Sequence, residues 1–121
     1  YVECQLFVLK MDFIDLTSQD ELERIVSEEA PRLVYFSHHR CNVCKTLKPK
    51  IKELIENNFP KMTLYHVNTM KYPDIAAQYS VFTVPTILVF FEGREFIRES
   101  RHISLSSFEE RAGKLYRIYF S

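Results

Sequence analysis

Cys41-Asn42-Val43-Cys44 is the segment of this chain best equipped for chemistry. Two thiols with two residues between them can close on one another as a disulfide. A thiolate in such a pair is a nucleophile toward other disulfides. The pair follows the apolar run Leu33-Val34-Tyr35-Phe36 and opens a stretch with helical periodicity. A strand-to-helix junction sets Cys41 beside the unpaired N–H groups and positive dipole end of the helix, which favour the thiolate. Just upstream, His38-His39-Arg40 adds positive charge. Arg40 supplies it at any pH and the histidines only when protonated, so all three are candidates for holding the Cys41 pKa below the free value of about 8.5. Solvated loop residues are the plainer reading of the same side chains. Zinc ligation competes for the cysteines, but a structural tetrahedral site wants four ligands and only His38 and His39 lie near to complete it. Redox chemistry is preferred to a metal site.

The elements that must position this pair follow from pattern. Gln5 to Leu16 is β-prone and reads as one strand or two short ones. Thr17-Ser18-Gln19-Asp20-Glu21 starts a helix, with Ser18 and Glu21 at capping-box spacing and Leu22, Ile25 and Val26 on one face. Arg32 to Ser37 suits a buried central strand. After Cys41 comes a helix whose stripe is Cys44, Leu47, Ile51, Leu54 and Ile55, with Pro49 expected to kink it rather than end it. Met62 to Asn68 is the next strand, Tyr72 to Tyr79 a short helix, and Thr86 to Phe91 a second apolar strand. Glu92-Gly93-Arg94 turns it back as a hairpin with Glu95 to Glu99. Ser104 caps a last helix with Leu105, Phe108, Ala112 and Leu115 inward. The order β-α-β-α-β-α-β-β-α implies an α/β fold, a mixed central sheet with helices on both faces.

Composition sets the outer limits. The 121 residues suit one domain, 1–121, with residues 1–12 an N-terminal extension or first strand. Hydrophobic residues make up 46%, enough for a real core, and the formal net charge is zero, which argues against nucleic acid or an anionic membrane as partner. The charge is blocked: Asp12 to Glu29 is acidic apart from Arg24, and Arg40 to Lys52 is basic throughout. No apolar stretch reaches the roughly 18–20 residues needed to span a bilayer. The third cysteine, Cys4, stands apart, so there is no disulfide framework, and it reads as a buried or fortuitous thiol. A cytoplasmic chain is expected, or an exported one if an upstream signal has been removed. A monomer is expected too. The aromatic end Tyr116-Arg117-Ile118-Tyr119-Phe120 reads as packing under the sheet, with a dimer contact as the alternative.

Across Phe13 to Tyr116 the chain resembles the thioredoxin family. The resemblance is carried by Cys41-Asn42-Val43-Cys44-Lys45, Pro49 after the second cysteine, Val84-Pro85-Thr86 before a buried strand, and the Glu92-Gly93 turn. It implies the thioredoxin fold, with Cys41 as exposed attacking thiolate and Cys44 as buried resolving thiol. It implies that Pro85 is a cis-proline facing the dithiol, and that Thr83, Val84 and Pro85 bind an extended substrate strand. The implied activity is reduction of protein disulfides, with no bound cofactor beyond the Cys41–Cys44 redox disulfide and with a reductase or another dithiol for recycling.

Several residues depart from the family pattern. Arg40 replaces the tryptophan before the first cysteine, and Asn42-Val43 replaces Gly-Pro. Tyr35 stands where a buried acid is expected, and that acid's lysine partner is aligned with Leu64. Tyr35 then reads as a core aromatic with its hydroxyl satisfied rather than as a proton relay. A glycine expected after the hairpin aligns near Arg101. These departures keep open a redox-regulated binding module as one alternative, and a resemblance near the cis-proline implies a second, a glutaredoxin-like enzyme using glutathione. The latter usually carries paired glycines after the strand, where this chain has Gly93 alone.

Overall fold

The computed structural model of the chain describes residues 12–120. Cys4 and most of the expected first strand lie outside the described residues. The remainder is a five-stranded sheet in the order β1-β3-β2-β4-β5. Its strands are β1 (Ile14–Asp15), β2 (Arg32–Ser37), β3 (Thr63–Asn68), β4 (Thr86–Phe91) and β5 (Arg94–Ser100). Helices α1 (Gln19–Val26), α2 (Asn42–Asn58), α3 (Pro73–Gln78) and α4 (Leu105–Tyr119) connect and cover them. β1, β3 and β2 are parallel, while β4 and β5 run antiparallel to their neighbours.

Alternation along the strands explains the two-sided core. On one face Leu33, Tyr35, Ile87 and Val89 meet Cys44, Leu47, Ile51 and Ile55 of α2 and Phe108 and Ala112 of α4. On the other, Val34, Phe36, Leu88 and Phe90 meet Leu22, Ile25 and Val26 of α1 and Ile75 of α3. Each fully buried Leu, Ile or Phe contributes about 1.5–3 kcal/mol relative to an exposed one, so α2 is held chiefly by its stripe. Pro49 lies inside α2 without ending it.

Local sequence sets the ends. The Ser18 hydroxyl accepts the Glu21 N–H (3.1 Å) and caps α1. The reciprocal half of the expected capping box falls one residue early, since the Glu21 carboxylate accepts from the Thr17 N–H (2.8 Å). That bond is the first cause of a lowered Glu21 pKa. Glu92 and Gly93 both take positive φ, 53° and 77°, the backbone a two-residue hairpin turn requires. At the C-terminus the Tyr119 hydroxyl donates to the Glu29 carbonyl (2.8 Å), and Tyr116 packs on Phe59. The aromatic end thus packs on the body of the domain. No helix among the described residues is long and apolar enough to cross a membrane.

Candidate functional site

The sheet brings the chemistry-bearing loops together. β2 and β3 finish side by side, Ser37 opposite Asn68. β4 begins at that end, with Thr86 opposite Phe36, and β5 finishes there, with Ser100 opposite Thr86. The segments starting at His38, Thr69 and Arg101, and the one arriving at Pro85, therefore share one rim.

Cys41 sits on this rim as the N-cap of α2. Its N–H donates to the His38 carbonyl (3.2 Å), and its Sγ accepts the Cys44 N–H (3.2 Å). A sulfur takes the place that a Ser or Asp oxygen fills at most helix starts. Cys41 and Cys44 are joined as a disulfide, with Cα atoms 5.2 Å apart. Cys41 is half-buried, whereas Cys44 is only 2% exposed and belongs to the core under the sheet. The difference follows from α2 itself: its N-cap lies on the rim and its stripe faces inward.

The other expected site residues fall into two groups. The Val84–Pro85 peptide bond is cis, and Val84 and Cys41 pack against the same core cluster. His38 lines a cavity with Thr83 and Val84, and its Nδ1 accepts the Arg40 N–H (3.2 Å). His39 and Arg40 are exposed. Among the described residues, their side chains make no hydrogen bond or ion pair. Nor do three or more His, Cys, Asp or Glu side chains converge there to hold a metal.

Behind the dithiol, Tyr35 is the core aromatic with a satisfied hydroxyl that the sequence led us to expect, and next to it lies a His66 network that sequence reasoning missed. The buried Tyr35 hydroxyl donates to the Cys44 carbonyl (2.8 Å). Burial pushes the Tyr35 pKa up to about 12, so this group stays a donor near neutral pH. The residue beside Tyr35 on β3 is His66, whereas Leu64 sits beside Leu33. The expected position of the lysine's counterpart is therefore corrected by two residues, from Leu64 to His66. Parallel register decides this, and no single-strand pattern displays it. The only available signal was that a polar residue interrupts an apolar strand at 66. His66 Nε2 bonds the Ser37 hydroxyl (2.7 Å) and Nδ1 bonds the Asp15 carboxylate (2.9 Å). Burial lowers the His66 pKa, outweighing the pull of Asp15.

The sequence of residues 13–110 matches the family model described as Thioredoxin. The chain belongs to the thioredoxin family. It is 32% identical over 104 residues to thioredoxin-like protein YdfQ of Bacillus subtilis, covering 86% of this chain and 92% of that one. Identity to the chloroplastic M-type thioredoxin of Spinacia oleracea is also 32%, over 76% of this chain but 51% of the spinach protein, so the chain spans about half of that relative. Among solved structures, oxidised thioredoxin O2 from Arabidopsis thaliana superposes with a TM-score of 0.75 at 23% identity, covering 88% of this chain and 96% of that one. Within this family a Cys-x-x-Cys pair already joined as a disulfide supports thiol–disulfide oxidoreductase chemistry.

Proposed function

We propose that this thioredoxin-family protein reduces disulfides in other proteins, with Cys41 as nucleophile and Cys44 as resolving thiol. The contrast between the rim-facing Cys41 and the buried Cys44 carries this reading. In the reduced protein the Cys41 thiolate attacks a substrate disulfide. The Cys41–substrate bond forms, the substrate S–S bond breaks, and one substrate sulfur leaves as thiolate. Cys44 then loses its proton and attacks Cys41 Sγ. The Cys41–Cys44 bond forms, and the second substrate sulfur leaves and is protonated. Two electrons pass from dithiol to substrate with no bound cofactor, and a reductase or a second dithiol returns them.

Val84, with Thr83 and Pro85, offers backbone to an extended substrate strand beside the dithiol. Arg40, with His39 and His38, favours the thiolate and later the departing thiolate charge. Reduction of insulin disulfides in the presence of a dithiol recycler tests the reading. Turnover that disappears with Cys41→Ser is expected; turnover equal to that of the recycler alone would leave the fold as a binding module.

A further inference from the structure

The loop between α3 and β4 holds out a phenyl ring that the dithiol chemistry does not require. Phe82 is 79% exposed, the highest value for any large hydrophobic among the described residues. Its loop is nonetheless held at both ends. Arg98 on the edge strand β5 donates to the carbonyls of Tyr79 (2.8 Å) and Ser80 (3.3 Å). The same guanidinium is gripped by the Glu95 carboxylate, from Nε at 2.8 Å and from Nη2 at 3.0 Å. Downstream, the Thr86 hydroxyl donates to the Thr83 carbonyl (2.7 Å), and the Arg101 N–H donates to the Pro85 carbonyl (2.9 Å). Exposure of Phe82 is thus presentation on a fixed loop.

The surroundings of Phe82 define what it would meet. It forms one wall of a cavity of about 270 Å³, with His38, Thr69, Ala76 and Val81 among the others. Val43 (60% exposed) and Met70 (45% exposed) add apolar surface on the same rim. Asp74, next to Pro73 of the cavity wall, accepts from the Gln19 side-chain amide (3.1 Å), and the charge nearest the dithiol is basic. No acidic residue occurs between Ser37 and Lys52, and the 79–91 segment carries no charge at all. Arg40 precedes the nucleophile, while Arg101 is anchored through its backbone to Pro85. A basic, apolar rim is complementary to an acidic, apolar ligand.

We propose that Phe82 is a specificity-determining residue, selecting extended protein segments whose reacting disulfide is flanked by a large apolar side chain and an acidic one. The apolar side chain fills the cavity against Phe82, and the acid faces Arg40 and Arg101. Arg98 is a positioning residue that acts through the loop carrying Phe82. The proposal rests on the reading of Cys41 as nucleophile and of Val84 as the pairing backbone.

Two short disulfide peptides test it, one with Phe and Glu beside the cystine and one with Ser and Lys. Wild-type protein is expected to favour the first by at least about tenfold in kcat/KM, the scale of one well-filled apolar pocket. Phe82→Ser should collapse that ratio below about threefold, and Phe82→Leu should restore most of it. Arg98→Ala should raise KM for the Phe-Glu peptide more than it lowers kcat. A ratio that Phe82→Ser leaves intact overturns the proposal. Analogues with serine for cysteine allow no exchange, so an NMR titration of the Phe82 ring with them separates recognition from reaction. Binding of the Phe-Glu analogue that is lost in Phe82→Ser supports the site even if no exchange occurs. Equal binding of both analogues overturns it.

Discussion

At the scale of single residues, the proposed order of attack, Cys41 before Cys44, rests on the helix N-terminus and its neighbouring charges. Cys41 caps α2 at the rim while Cys44 is sealed in the core. Alkylation of the reduced protein near pH 7 should therefore label Cys41 first. Arg40→Glu should slow that labelling several-fold, because an anion opposes the thiolate that a cation favoured, and added salt should shrink the difference. An unchanged rate would mean that the Arg40 side chain points away from the sulfur. His66 gives a second prediction. Burial holds its pKa below the ordinary 6.5, so as pH falls the unfolded chain takes up this proton before the folded one does. Stability should then decline from about pH 6.5 down to the folded value, and urea midpoints at pH 7.5 and 5.5 measure it. In His66→Gln the decline over that window should be smaller; an equal decline would assign it to other groups.

At the scale of elements, caps and turns explain both what was legible in the sequence and what was not. The apolar run of β4, the two-residue hairpin at Glu92-Gly93 and the stripe of α2 were readable because each is a local pattern. The neighbour of Tyr35 was not. It depends on the register of β2 against β3, where a shift of two residues keeps the face but changes the partner from Leu64 to His66. The rim around Phe82 was illegible for the same reason, since Arg98 reaches it from another strand. Arg101, at the position where a glycine was expected, adopts φ 64°. The left-handed region costs a non-glycine residue about 1 kcal/mol. Arg101→Gly should accordingly raise stability in chemical denaturation by up to about 1 kcal/mol, the greater freedom of the unfolded chain offsetting part of the gain. It should also weaken any preference for acidic substrates, because it removes one of the two arginines on the rim. A loss of stability would place a compensating contact on the Arg101 side chain.

At the scale of the whole molecule, the fold separates two tasks. The paired cores on either side of the sheet hold the scaffold, and one rim collects the dithiol, the Val84–Pro85 segment and the loop that carries Phe82. Thiol–disulfide exchange suits this division, because the reaction needs little more than a thiolate, a resolving thiol and a strand-binding edge. The division also places Cys44 where only Cys41 can deliver a substrate sulfur to it. Trapping addresses that arrangement directly: reduced Cys44→Ser and Cys41→Ser proteins are each mixed with insulin, and the products are resolved by non-reducing mass spectrometry. The Cys44→Ser protein is predicted to accumulate a mixed disulfide through Cys41, and the Cys41→Ser protein is predicted to form essentially none. A stable adduct through Cys44, or no adduct in either variant, would contradict the assignment of Cys41 as the attacking sulfur.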